Sequence, residues 1–266
     1  MTRKGFLGRL AGAIFGAGTT AGSGVAQGAP EPQPAPPPEA LARRAMIEEL
    51  ARSARPDELA RKARSEAILR AAGVPVLDGL PVIAGESRSL RRESRPVAER
   101  LLGAMIASVK AETNDYDLGQ SLLDQYEARP YLTPAEQAFM DDPDPDQQTI
   151  TDTAWRYEGV LVLFWALGLY DALPPGDQIA DVGDMGAMLS VMGPEGLFDL
   201  AVLRPQAELL DMADYYYRLH WAVTDARLKG QALPGGDASI VLERARALNW
   251  LYGYGGQSWD EVSADT

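Results

Sequence analysis

The stretch YYYRLHWAVTDARLKG, Tyr215 to Gly230, holds the only histidine of the 266-residue chain, His220, with Arg218 and Asp225 close by. An imidazole near its ordinary pKa can act as a general base at neutral pH if a carboxylate orients it. At about 100° per residue on a helix, Arg204, Glu208, Asp211, Tyr215, Arg218 and Asp225 recur near one side. Trp221 lies beside Arg218 and Asp225, whereas His220 shares a neighbouring side with Tyr217, Thr224 and Arg227. Asp211 stands about 180° from His220 and cannot serve it. An orienting carboxylate would have to come from another helix, such as Glu158 in AWRYEG or Glu243 in LERARALNW. His220 therefore reads first as a hydrogen-bonded structural residue, and second as part of a ligand site.

Other chemistries find less support. The chain has no cysteine, which removes disulfides, thiolate catalysis, cysteine-based zinc sites and iron–sulfur clusters. With one histidine, no histidine-paired zinc motif can be written either. Asp142, Asp144 and Asp146 alternate as in a calcium loop, but Gln147 and Thr153 stand where glycine and glutamate are needed. DDPDPDQQTITDT is better read as a solvated acidic loop. GAGTTAG lacks the strand that a phosphate cradle needs before it, and no nucleophile elbow is present. No metal and no cofactor are expected.

The elements that must position these residues are nearly all helical. Apolar spacing predicts helices over 41–53, 57–72 with Asp57 as N-cap, 94–110 and 118–128. Thr133 to Glu136 is a capping box opening a short helix. A helix over 153–170 is apolar nearly all round and should lie at the centre. The longest helix spans 205–228 and the last 238–252. Residues 74–83, VPVLDGLPVI, form a small hairpin or an extended crossing loop. The fold class is mainly α, a single multi-helix domain over 41–266, whose tail is ordered by Trp259.

Charge is distributed unevenly. Residues 41–110 carry 14 basic and nine acidic side chains, and residues 111–266 carry eight basic and 27 acidic. Such an acidic majority repels phosphate backbones, so nucleic acid is an unsuitable partner. Arg3 and Lys4 precede a weakly apolar, glycine-rich stretch, and small residues surround Ala26 and Gly28, the order of an export signal over 1–28. Cleavage there would start the mature chain near Gln27 or Ala29. TRKGFLG also resembles a twin-arginine signal with lysine in place of the second arginine. The alternative is an amphipathic leader on a cytoplasmic protein, touching a membrane surface through Phe6, Leu10, Ala13 and Ala17. No apolar run is long enough for a transmembrane helix. Residues 29–40 form a stiff proline-rich linker.

Seven segments taken in order carry a family resemblance. GVPVLDGLPVI precedes LRRESRPVAERLLGAMIA, and LTPAEQAFM precedes WRYEGVLVLFWALG. Then come LRPQAELLDMADYYYRLHWAVTDARLKG, VLERARALNWLYG and the terminal WDEVSADT. Over about residues 57–266 this order resembles the bacterial family catalogued as domain of unknown function 4272. The family's habit of ending on a tryptophan–aspartate segment falls on Trp259, Asp260, Asp265 and Thr266. The resemblance transfers no activity, but it adds weight to the polar residues inside the matching segments. These are Arg156, Glu158, Glu208, Asp211, Arg218, His220, Asp225, Glu243 and Arg244, with Trp221 among them. Buried beside apolar runs they must be paired, and their positions are compatible with one internal network joining three helices, which suits a structural core as well as a site.

Two functions are compatible with these readings. The first is a non-enzymatic interaction or accessory domain on an N-terminal tether, binding another protein. The second is an enzyme or small-ligand binder with a polar site around the 204–227 helix.

Overall fold

The computed structural model describes residues 38–265. The leader over 1–28 and most of the linker over 29–40 lie outside the described residues. The chain divides after Ala45. Of the first part, only residues 38–45 are described, and they are helical. The second part, 46–266, holds all the other described helices.

Local sequence accounts for where most helices start and stop. Helix α1, Pro38–Arg52, crosses the division. Helix α2, Pro56–Ala71, has Pro56 at its first position and Arg55 as N-cap, so Asp57 lies inside the first turn rather than capping it. Gly73, at φ +75°, ends it in the left-handed conformation that glycine tolerates. Residues 74–83 run as an extended crossing loop with a turn at Asp78 and Gly79, and the described residues contain no strand beyond isolated bridges. Helix α3, Ser94–Thr113, and helix α4, Tyr116–Gln125, come next.

Helix α5, Pro134–Asp141, carries the expected capping box. The Thr133 hydroxyl accepts from the Glu136 amide at 3.2 Å, and the Glu136 carboxylate accepts from the Thr133 amide at 3.0 Å. Its far end is tied down by Lys110 from α3, whose buried ammonium donates to the carbonyls of Phe139, Met140 and Asp142.

The expected 153–170 helix is two helices. Helix α6, Gln147–Trp155, starts where Asp146 accepts from the amides of Gln148 and Thr149. The end of the acidic run is thus a helix cap, not solvated loop. At Arg156 the backbone bonds back to Thr153, three residues away, which tightens the turn and redirects the chain. Helix α7, Tyr157–Ala166, then runs with every residue buried.

Helix α8, Val182–Leu200, was not legible in the periodicity, because glycines interrupt it and it bends at Gly193-Pro194. It buries only Met185, Leu189 and Leu197, leaving Val191 88% exposed. Helix α9, Gln206–Leu228, and helix α10, Ala238–Tyr252, complete the set.

The packing is a chain of contacts around α7. Helix α2 packs on α9, α9 on α10, α10 on α7, and α7 on α3, which also carries α4, α5, α6 and α8. No described helix is long and apolar enough to cross a membrane. Trp259 is buried and packs edge-on against Trp250, with ring centroids 5.2 Å apart, so the tail is ordered as expected.

Candidate functional site

Glu158 on α7 and Arg244 on α10 have side chains with no solvent exposure and face each other. Arg244 Nε and Nη2 donate to Glu158 Oε2 at 3.1 and 2.9 Å. The remaining guanidinium donors go to Tyr216 Oη at 2.9 Å and to the carbonyls of Pro174, Pro175 and Gln178 at 2.6, 3.2 and 2.6 Å. Glu158 Oε1 accepts from the Ala180 amide at 2.8 Å. One ion pair therefore fastens two helices and pins the whole 174–180 loop.

A second buried cluster joins α9 to α2. Arg218 grips Asp214 one turn earlier in a two-point contact, at 3.0 and 2.8 Å, and both side chains are 1% exposed. It also reaches Glu66 Oε1 at 3.4 Å and the Pro81 carbonyl at 3.1 Å. Charges removed from water this completely are tolerable only when each donor and acceptor is met, and here they meet one another rather than a cavity.

The other residues singled out in the sequence are dispersed. Arg156 pairs with Glu243 at 3.1 Å, and Glu243 with Arg246 at 2.9 Å. Asp211 takes Arg61 and Arg64 at 2.9 and 2.7 Å, and Glu208 takes Arg204 at 3.2 Å. Asp225 pairs with Lys229 near the surface at 2.7 Å, away from Arg218, and Trp221 is half-buried. Asp260 accepts from the Ala135 amide and Asp265 from the Ser263 hydroxyl, while Thr266 lies outside the described residues. The polar residues thus form several separate pairs and clusters, not one network. Helix geometry fixes which side a residue occupies, but which neighbouring helix meets it depends on packing.

His220 corrects the expectation of a hydrogen-bonded ring. Its Nδ1 is buried without a partner. Glu158 and Glu243 are occupied by arginines, so neither orients it. Burial lowers its pKa to about 4, with Arg227 and Arg246 adding to the drop and Asp265 opposing it. A neutral imidazole with no carboxylate partner is poorly suited to general-base work.

A cleft of about 690 Å³ runs along the first half of α9. Its floor is apolar and aromatic, with Trp165, Met212, Tyr215 and Tyr216, and partly exposed Ile68 of α2 stands at the edge. The wall is the Asp171-to-Gly176 loop that Arg244 holds from one end. Arg204 holds the other end, donating to the carbonyls of Trp165, Tyr170 and Asp171 at 2.8, 2.7 and 3.2 Å. Two cations beneath the wall thus fix its shape before anything binds. Glu208 and Asp211 are the predicted site residues that line this cleft.

The profile of the family described as domain of unknown function (DUF4272) matches residues 61–262. The chain belongs to that family. Every residue lining the cleft falls inside the matched DUF4272 segment. No curated protein matches the chain, and no solved structure does. The DUF4272 cleft uses residues that sequence reasoning passed over: Ile68, Trp165 and the Pro174-Pro175 pair, read only as a helix stop. An exposed isoleucine and two prolines carry no charge pattern, so only the fold reveals them.

Two measurements check this assignment of roles. Arg218→Ala strands buried Asp214, while Glu66 keeps Lys62 and Arg70, and urea unfolding should show a loss of about 3–5 kcal/mol. Asp225→Ala removes a surface pair and should cost under about 1 kcal/mol. Equal losses would contradict the division between buried and surface pairs. His220 adds a pH dependence. Because its folded pKa of about 4 lies below the ordinary 6.5, the unfolded chain takes up the proton first as pH falls. Its contribution to stability is therefore full above pH 6.5 and lost as pH drops towards 4. With the ring partly in contact with solvent, the loss is on the order of 1–3 kcal/mol. The parent should lose stability more steeply than His220→Gln across that window and in parallel with it above pH 7; parallel curves throughout would contradict the buried neutral ring.

Proposed function

We propose that this domain is a non-enzymatic binding module, and that its cleft takes a short segment of another protein. One observation carries the reading. The buried arginines and carboxylates are committed to structural partners, while aromatic and aliphatic surface in the cleft is left open. Binding pockets combine such a floor with a few fixed polar groups. The rim favours a segment with an apolar anchor and basic residues. Arg64 is engaged by Asp211, and Arg204 by Glu208 and loop carbonyls, while the Asp171 side chain faces solvent. The 27 acidic against eight basic side chains of residues 111–266 add a long-range attraction for such a partner.

The export-signal-like leader and proline-rich segment support reading the molecule as a tethered domain in an exported, periplasmic setting; retention in the cytoplasm beside the membrane is the alternative. A second reading, a small-molecule site, is supported by the cleft volume, which suits drug-sized ligands.

The test is a random peptide library panned on the full chain, with Ile68→Asp as counter-screen. Ile68 is 58% exposed, so the substitution leaves the core intact. Peptides rich in basic and aromatic residues should bind the parent roughly tenfold or more tighter than Ile68→Asp. Absence of enrichment, or equal binding to both proteins, would overturn the proposal. A fragment screen read by thermal shift on the same pair decides the small-molecule reading.

A further inference from the structure

A second concave surface lies elsewhere on the domain. Its floor is Pro81, Val82 and Ile83 from the crossing loop, Tyr217 of α9, and Tyr252 and Tyr254 at the end of α10. Across it lie Met46, Ile47 and Leu50, from the second half of α1. These three share one helical stripe, at i, i+1 and i+4, which is how an amphipathic helix reads a groove. We infer that the surface is a docking groove whose one occupant is this chain's own amphipathic helix, residues 46–52, seated there reversibly rather than as part of the core.

Three observations support it. Helix α1 has no fully buried residue, whereas every other described α-helix buries at least one. The seated stripe leaves about 70 Å³ unfilled against the floor. Interiors pack more tightly than that, and a gap forfeits the contacts its lining would make. Met46, Ile47 and Leu50 also lie outside the family match, which begins at residue 61, while the loop, Tyr217 and the α10 end lie inside it. The floor thus lies within the matched span, and the helix over it precedes that span.

The edge of the floor is braced by contacts outside α1. Arg88, on its edge, is held by an ion pair to buried Glu58, whose carboxylate also accepts from the Gly85 amide at 2.7 Å. Burial raises the Glu58 pKa, but bonds from Arg88, Arg55 and Gly85 outweigh it and hold the group ionised.

The test uses the full chain and a labelled synthetic peptide of residues 38–53. In the parent, the cis helix competes; a groove closed about 90% of the time weakens binding in trans roughly tenfold. The double variant Met46→Asp, Leu50→Asp vacates the groove. It should bind the peptide roughly tenfold or more tighter than the parent does, while keeping its cooperative urea transition. The peptide carrying Ile47→Asp and Leu50→Asp should bind neither. Equal binding to parent and variant, no binding to either, or undiminished binding by the altered peptide would overturn the inference. So would loss of the urea transition in the variant, since the stripe would then be core. Ile68→Asp should leave peptide binding unchanged, which separates the fate of this groove from that of the cleft.

Discussion

The structure depends on one ion pair in a place where ion pairs are expensive. Stripping a carboxylate and a guanidinium of water costs several kcal/mol each, and mutual attraction offsets this only when the other lone pairs and protons are also met. Glu158 and Arg244 satisfy that condition by enlisting the backbone. Three carbonyls and one amide of the 174–180 loop, together with the Tyr216 hydroxyl, complete the two coordination shells. The arrangement works in both directions. The pair needs the loop to be tolerable, and the loop, which has no strand or helix to hold it, needs the pair to have a shape.

The same economy recurs around the molecule. Arg218 with Asp214 and Glu66 joins α9 to α2, Lys110 closes the end of α5, and Arg204 anchors the near end of the cleft wall. A strongly acidic chain with no strand among its described residues places charges where helix ends and loop carbonyls need them. Asp115, Asp146, Asp181 and Asp237 cap helices in the same spirit. Many charged side chains are thereby committed to holding the fold, and the cleft is floored by apolar and aromatic side chains.

The sequence made the helices legible wherever a local rule settles the matter. The capping box at Thr133, the span 238–252 and the burial of the apolar run after Tyr157 all depend on residues within a few positions of each other. The failures are of two kinds. Helix α8 is obscured by its glycines and proline, and the turn at Arg156 breaks a run that continuous hydrophobicity joins. Partner choice is the second kind. Arg218 and Asp225 lie one above the other on α9, yet Arg218 points into α2 and Asp225 stays at the surface with Lys229, because only packing decides which face meets which helix. The cleft was the least legible feature, since its wall is a loop whose form is imposed by an arginine some seventy residues downstream.

The direct test of this dependence is to replace the pair by apolar side chains of similar volume, Glu158→Leu with Arg244→Met. Such exchanges are often neutral for stability or favourable to it, but here they release the loop. Amide exchange read by mass spectrometry should show protection lost over residues 176–182, with α7 and α10 as protected as in the parent. Unchanged protection of that loop in a folded double variant would contradict the claim that the buried pair shapes the cleft.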